Sequence, residues 1–383
     1  MRSDSKREFP SIALKSLPCP KVLKVIGAME FTEIDGSQGE GGGQILRTAM
    51  SLAAILQKPI RISKIRAGRK EPGLRPQHLQ SVLLASKISH GRLSGATLGS
   101  TEIEFEPGHP TDSFKDLIDT KTAGSITMIV QTIIPISIFR QVSIDVEIRG
   151  GTEVPNSPTI DYLRYLVIPI YEKLGVRVDL EIKQRGYYPK GGGIVTLKTS
   201  STGSKPQPLI LDENVESQSA NKIRILSISR ELPPHVARRQ AESASKILAD
   251  EGLALEKSDL DYSERALSPG SSILIYSNEH SLLVGSSSLG EKGKKAETVG
   301  DEAARYFINE YLSYPNVDSH LADMLVTLLC TVEGLSSFTT PFLTNHFITN
   351  AEIAKRMTNC RIDCQKEESK WRVSISGSPE KPN

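Results

Sequence analysis

Apolar positions recur at helical spacing over 44–56, behind a short strand-like run over 30–35. The same alternation of periods continues along the chain. A strand over 60–66 is followed by a proline-opened helix over 76–89, then by Gly91 and an alternating run. A helix over 122–139 leads to a strand over 142–149, a second proline-opened helix over 158–174, Gly175, and strands over 176–182 and 194–198. Near the C-terminus the pattern predicts a helix over 320–332, capped by Asp318 or Ser319, and a strand over 336–342. A short helix over 351–357 capped by Asn350 and a hairpin over 361–365 and 371–375 complete it. The syntax is that of a β-α-β-α-β-β unit used three times.

Residues 200–208 are rich in Ser, Gly and Pro and read as a linker. Beyond them the pattern predicts strands over 223–229, 272–277 and 281–285 and helices over 234–251 and 297–312. That suffices for a smaller α/β domain inserted in the larger one. The expected division is a main domain over 29–205 and 316–376 and an insert over 206–315. A basic extension over 1–28 and a solvated tail over 377–383 are expected outside the core. The expected class is a mixed α/β (α+β) fold.

Between the first strand and the first helix lies Gly39-Glu40-Gly41-Gly42-Gly43. Such a turn is either a flexible punctuation mark or a place where backbone N–H groups approach an anion. No Gly-Lys-Ser/Thr follows, so it is not a P-loop, and Gln44 stands where a dinucleotide fingerprint needs its third glycine. Glu40 would repel a phosphate unless a divalent metal joined them. Arg47, one turn into the helix, could grip a phosphate with two N–H groups. A second dense stretch holds Arg66, Arg69, Lys70 and Arg75 within ten residues, ending on Gln77 and His78. It reads as a solvated basic loop or as a phosphate site at a strand end and helix start.

Charge sharpens this choice. The 383 residues carry a net charge of +2, so any polyanion site must be local rather than a broad basic face. Cys19, Cys330, Cys360 and Cys364 make neither a disulfide framework nor a zinc set. With no apolar run of membrane-spanning length, the expectation is a reducing, cytoplasmic setting and no membrane partner. Of seven histidines, His320, three residues before Asp323, and His346, just before the expected last helix, stand out. A helix N-terminus disfavours imidazolium and would keep His346 neutral and nucleophilic. His78, His90, His109, His235 and His280 take structural readings.

Taken together, Gly39-Glu40-Gly41-Gly42-Gly43-Gln44-Ile45-Leu46-Arg47, Arg66-Ala67-Gly68-Arg69, Pro72 to His78, His320-Leu321-Ala322-Asp323 and His346 to Asn350 resemble the RNA 3′-terminal phosphate cyclases. The resemblance implies three repeated units with a thioredoxin-like insert, ATP as co-substrate, Mg²⁺ or Mn²⁺, and RNA with a 3′-phosphate end as partner. It implies that His346 is the nucleophile that takes up AMP. Gln131, Pro158 and the segment His320, Leu321, Ala322, Asp323 and Met324 would bind ATP, with His320 and Pro158 flanking the adenine. Glu40 would serve the metal. Arg47, Arg66, Arg69 and Gln77 would hold phosphate, of the RNA end or of the leaving pyrophosphate. The family usually has glutamine where this chain has Met324. Two alternatives share the architecture: non-catalytic ribosome-assembly relatives, which lack the nucleophilic histidine, and carboxyvinyl-transferase-like enzymes, which would not require it.

Overall fold

The structure is a computed structural model that describes residues 30–211, 222–262, 266–279 and 281–378. The expected extension over 1–28, Cys19, His280 and residues 379–383 lie outside the described residues.

The first sheet contains β1 (Thr32–Asp35), β2 (Ile60–Ser63), β3 (Arg92–Ser94) and β4 (Ile103–Glu106), in the order β1-β2-β4-β3. Helix α1 (Gly43–Leu56) connects the parallel pair β1 and β2, as a crossover must, and α2 (Pro76–Ile88) follows β2. The second sheet is built from β5 (Ser113–Asp119), β6 (Ser143–Gly150), β7 (Val176–Gln184) and β8 (Gly193–Ser201), in the order β5-β6-β8-β7. Helix α3 (Ile126–Arg140) connects its parallel pair. Strand β5 was not expected. Only one of its residues is buried and Lys115 and Asp116 interrupt the alternation, the composition of a charged sheet edge.

The helix expected over 158–174 is broken into α4 (Ile160–Tyr162), a π-helical stretch (Leu163–Val167) and α5 (Ile168–Lys173). The break places Tyr165 flat against Tyr276, with ring centroids 4.8 Å apart, and lets the Tyr162 hydroxyl reach Asp318.

Residues 222–311 contain a third sheet of β9 (Ile223–Arg230), β10 (Leu255–Asp261), β11 (Gly270–Glu279) and β12 (Leu282–Leu289), in the order β10-β9-β11-β12. Helices α6 (His235–Asp250) and α7 (Ala296–Tyr311) cover it and enclose a separate core around Ile225, Leu248, Ile273 and Phe307. Most of the other buried apolar side chains form one large cluster.

The last sheet follows α8 (Ser319–Leu329) and comprises β13 (Gly334–Thr340), β14 (Arg361–Glu367) and β15 (Lys370–Gly377), in the order β13-β15-β14. Helix α9 (Asn345–Met357) joins β13 to β14. A parallel neighbour for β13 exists only as a bridge. Ile210 pairs with Ser337, Leu211 N–H donates to Ser337 O at 3.0 Å, and Ser337 N–H donates to Leu209 O at 2.9 Å. Leu209 and Leu211 are buried in the large cluster, as are Leu274, Tyr276 and Leu283 of the segment expected over 206–315. The place expected for Gly377 is corrected. This glycine ends β15, and a Cβ there would lie 1.9 Å from the Val332 carbonyl, so it is packed rather than part of a solvated tail.

Candidate active site

The glycine turn is held open at its base. The Asp35 carboxylate accepts the Ser37 N–H at 2.9 Å and the Ser37 hydroxyl at 2.6 Å, and pairs with Lys64 at 2.8 Å. The Lys64 ammonium, then the Ser37 donors, hold this carboxyl well below the usual range. Gly41 has φ +54°, and a Cβ there would lie 2.9 Å from the Gly68 backbone nitrogen, so the glycine turn touches the basic loop backbone to backbone. Helix α1 starts at Gly42 without a side-chain cap, which leaves its first N–H groups free for an anion. From the basic loop, Arg69 comes within 3.4 Å of Glu40. Arg66 turns back and donates to the Glu71 and Gly73 carbonyls at 2.6 and 3.2 Å, bracing its own loop. Gln77 accepts the Ser125 N–H at 2.9 Å, so its carbonyl end is already engaged.

His346 lies in the first turn of a helix that begins earlier than expected. Thr344 is the cap, its hydroxyl oxygen accepting the Phe347 N–H at 3.0 Å. Asn350, the expected cap, lies inside α9 and is wholly buried. Its amide donates to the Asp323 carbonyl at 2.7 Å and its oxygen accepts the Thr48 hydroxyl at 2.7 Å. The Thr344 hydroxyl in turn donates to the Asp323 carboxylate at 2.6 Å. These bonds tie α1, α8 and α9 together at the ends that face the glycine turn. The result places His346 Nε2 3.5 Å from the Glu40 carboxylate, each side chain 38% exposed.

Partial burial pushes the His346 pKa down. Glu40 opposes the shift, and Arg47, His320 and Arg69 add to it. The ring is therefore neutral over a wider pH range than a free histidine. Arg69→Ala removes a repelling cation, so the His346 pKa is expected to rise. The acid limb of any reaction that needs the neutral ring then moves to higher pH in a pH–rate profile. A limb that stays put or moves lower contradicts this assignment.

On the other side of His346, α8 presents His320 to solvent, while Leu321 and Ala322 are fully buried. Side chains of the latter two belong to the core, so only their backbone could meet a ligand. Asp318 caps α8. Its carboxylate accepts from Leu321 N–H at 2.9 Å, Gly285 N–H at 2.9 Å and the Tyr162 hydroxyl at 2.6 Å. Glu310 accepts the Ser319 N–H and hydroxyl at 2.9 and 2.7 Å. The start of α8 is thus clamped by β12, α7 and α4. Burial, then the neighbouring Glu310, raises the Asp318 pKa to about 6; burial raises that of Asp323 to about 7. Tyr162→Phe removes a donor that favours charged Asp318. The expected cost is about 1–3 kcal/mol in chemical denaturation above pH 7. It should be smaller below pH 6, where Asp318 is protonated in either protein. An equal loss at both pH values contradicts the assignment.

A small pocket lies between α1, α3 and α8, lined by Arg47, Gln131, Tyr171, Met324 and Thr327 among others. The Gln131 amide nitrogen is buried there without a hydrogen-bond partner among the described residues. Arg47 is only 9% exposed and has no carboxylate partner among the described residues; its guanidinium donates to the Gln44 side chain. Met324 offers neither donor nor strong acceptor to Gln131. Pro158 is half-buried beside this region, its carbonyl taken by the Thr127 hydroxyl at 2.8 Å. Among the described residues no group of three or more His, Cys, Asp or Glu side chains is arranged to hold a metal. Glu40 alone could supply one carboxylate oxygen, which suits an ion that takes its other ligands from phosphates and water.

A family model described as RNA 3′-terminal phosphate cyclase matches residues 38–364. The chain belongs to this family. Proteins named RNA 3′-terminal phosphate cyclase align over most of its length. The one from Thermococcus gammatolerans is 41% identical over 339 residues, covering 88% of this chain and 96% of its own. That from Sulfurisphaera tokodaii is 42% identical over 335 residues, covering 88% and 96%. That from Ignicoccus hospitalis is 39% identical over 355 residues, covering 91% and 96%. The structure sets Glu40 within 3.5 Å of His346 and 3.4 Å of Arg69, while Arg47, Gln131 and Met324 line the pocket. Sequence reasoning missed Thr344, Tyr162 and Glu310, which act at a distance in sequence. Only Thr344, two residues before His346, left a local signal as a cap residue.

Proposed function

We propose that the chain converts an RNA 3′-terminal phosphate to a 2′,3′-cyclic phosphodiester at the expense of ATP. His346 attacks the α-phosphorus, forming a nitrogen–phosphorus bond as the bond to the β-phosphate oxygen breaks and pyrophosphate leaves. An oxygen of the RNA 3′-phosphate then attacks the same phosphorus, and the bond to the ring nitrogen breaks, returning its electron pair to His346. The adjacent ribose 2′-OH attacks the activated 3′-phosphorus, loses its proton to solvent and expels AMP. No enzyme nucleophile is needed there, because the hydroxyl is already held at short range.

The observation that carries this reading is His346 Nε2 at 3.5 Å from Glu40, in a helix first turn where partial burial, then nearby Arg47, His320 and Arg69, push the ring's pKa down against the pull of Glu40. Arg47 and Arg69 would hold phosphate oxygens, while Gln131, Pro158, His320, Asp323 and Met324 would surround the nucleoside. Arg66 and Gln77 would serve mainly by bracing the phosphate loop. A divalent ion, Mg²⁺ or Mn²⁺, held by Glu40 would neutralise polyphosphate charge. The same reading takes the three sheets around the large core as repeats of one unit. The α/β segment beginning after Leu211 is then a thioredoxin-like insert within the third. Free, buried Cys330 and Cys360 support a reducing, cytoplasmic setting, and no helix among the described residues is long and apolar enough to cross a membrane.

The test is an oligoribonucleotide with a 3′-phosphate, incubated with ATP and metal. A phosphatase-resistant end should form with one AMP and one pyrophosphate per end. A substrate with a 2′-deoxy terminal sugar should stop as an adenylylated end. Cyclisation without ATP, or an unchanged product from the deoxy substrate, contradicts the scheme.

A further inference from the structure

His78 occupies the third position of α2. Its Nδ1 accepts the backbone N–H of Arg75, the helix cap, at 3.3 Å. This is the reach-back half of a capping box, a task usually given to Glu or Gln. The bond orients the ring. It also assigns the proton of the neutral imidazole to Nε2, since Nδ1 is the acceptor.

Nε2 points at the start of α1. A Cβ built on Gly43 would lie 2.3 Å from His78 Nε2 and 3.3 Å from an Arg47 nitrogen. Glycine at this position is what lets the imidazole lie against the start of α1 beside Arg47. His78 is 5% exposed, and its Nε2 has no hydrogen-bond partner among the described residues. Three kinds of donor therefore lie close together at the start of α1: the imidazole N–H, the buried Arg47 guanidinium, and the uncapped N–H groups of the helix. Burial, then Arg47, Arg66 and Arg75, pushes the His78 pKa down to about 3, so the ring is a neutral donor at any working pH. A further cation would be repelled by these arginines. A neutral N–H adds a directed bond without that cost.

We propose that His78 binds phosphate directly, donating from Nε2 to an oxygen of a phosphate group held at the N-terminus of α1 beside Arg47. This rests on the reading of the site as one that activates phosphate ends. The group could belong to the ATP polyphosphate or to the RNA 3′-terminus, which present the same oxygens.

The experiment compares His78→Gln, whose amide nitrogen can replace Nε2 as donor, with His78→Met, which fills similar space without one. One arm measures AMP–enzyme formation from α-labelled ATP and its reversal by pyrophosphate. The other measures single-turnover cyclisation of a 3′-phosphorylated RNA by pre-adenylylated protein. His78→Met should lose about 10-fold or more in the arm that uses the contact. His78→Gln should recover most of it, and the pH–rate profile should keep its shape in both. Full activity of folded His78→Met in both arms, or equal impairment of the two variants, overturns the proposal. Should His78→Met fail to fold, the wild-type His78 Nε2–H resonance decides. A shift on adding pyrophosphate or inorganic phosphate supports the contact, and an unmoved resonance with both refutes it. Wild-type protein that takes up no label would instead count against the parent reading.

Discussion

His346→Ala protein is expected to melt at the wild-type temperature and to produce no detectable cyclic ends. The two halves of this expectation have separate causes. The ring is 38% exposed, and the cap of α9 is made by Thr344, so removing the imidazole leaves the helix start and its bonds to Asp323 and Thr48 intact. In the proposed scheme, by contrast, the His346 imidazole is the group that carries the nucleotide. Glu40 lies nearest, but a mixed anhydride of its carboxylate would leave no base-stable label. Thermal denaturation and a product assay on the same preparation check both halves. Turnover above background contradicts the assignment of the nucleophile. A large loss of stability would mean that the side chain is structural.

Arg47→Leu should change stability and activity in opposite directions. The guanidinium is 9% exposed with no carboxylate beside it, and burial pushes its pKa down to about 10, low for arginine yet still charged at neutral pH. An uncompensated buried cation is unfavourable in the free protein. Leucine, which packs on the apolar wall of the same pocket, is expected to raise the melting temperature. On the proposed reading the cation's worth comes when phosphate arrives. Its loss should slow single-turnover cyclisation by about 10²–10³-fold, the scale of removing one preorganised donor to developing charge. A variant that is both less stable and fully active would show that Arg47 serves the fold and not the substrate.

The glycine turn and the basic loop were legible in the sequence because their parts are local. Glycines and arginines at a strand-to-helix turn announce themselves without help from distant residues, and the glycine turn and basic loop do touch at Gly41 and Gly68. What depends on tertiary contact was misjudged. Asn350 is a strong cap type, so the last helix was expected to start there. In the structure its side chain is claimed by Thr48 and the Asp323 carbonyl, and the helix runs back through His346 to Thr344. Strand β5 is a charged edge with a broken alternation. The pairing of residues 209–211 with β13 spans more than a hundred positions, which no local period records. His78 looked like a packing histidine. Its free nitrogen becomes visible only when Gly43 is seen opposite it.

The most direct test of the account is to locate the nucleotide on the protein. Wild-type protein incubated with ATP and metal, digested at alkaline pH and analysed by mass spectrometry, should carry one AMP on the peptide containing His346, bonded to the imidazole. AMP on a lysine, or steady cyclisation with no covalent nucleotide at any time point, would contradict it.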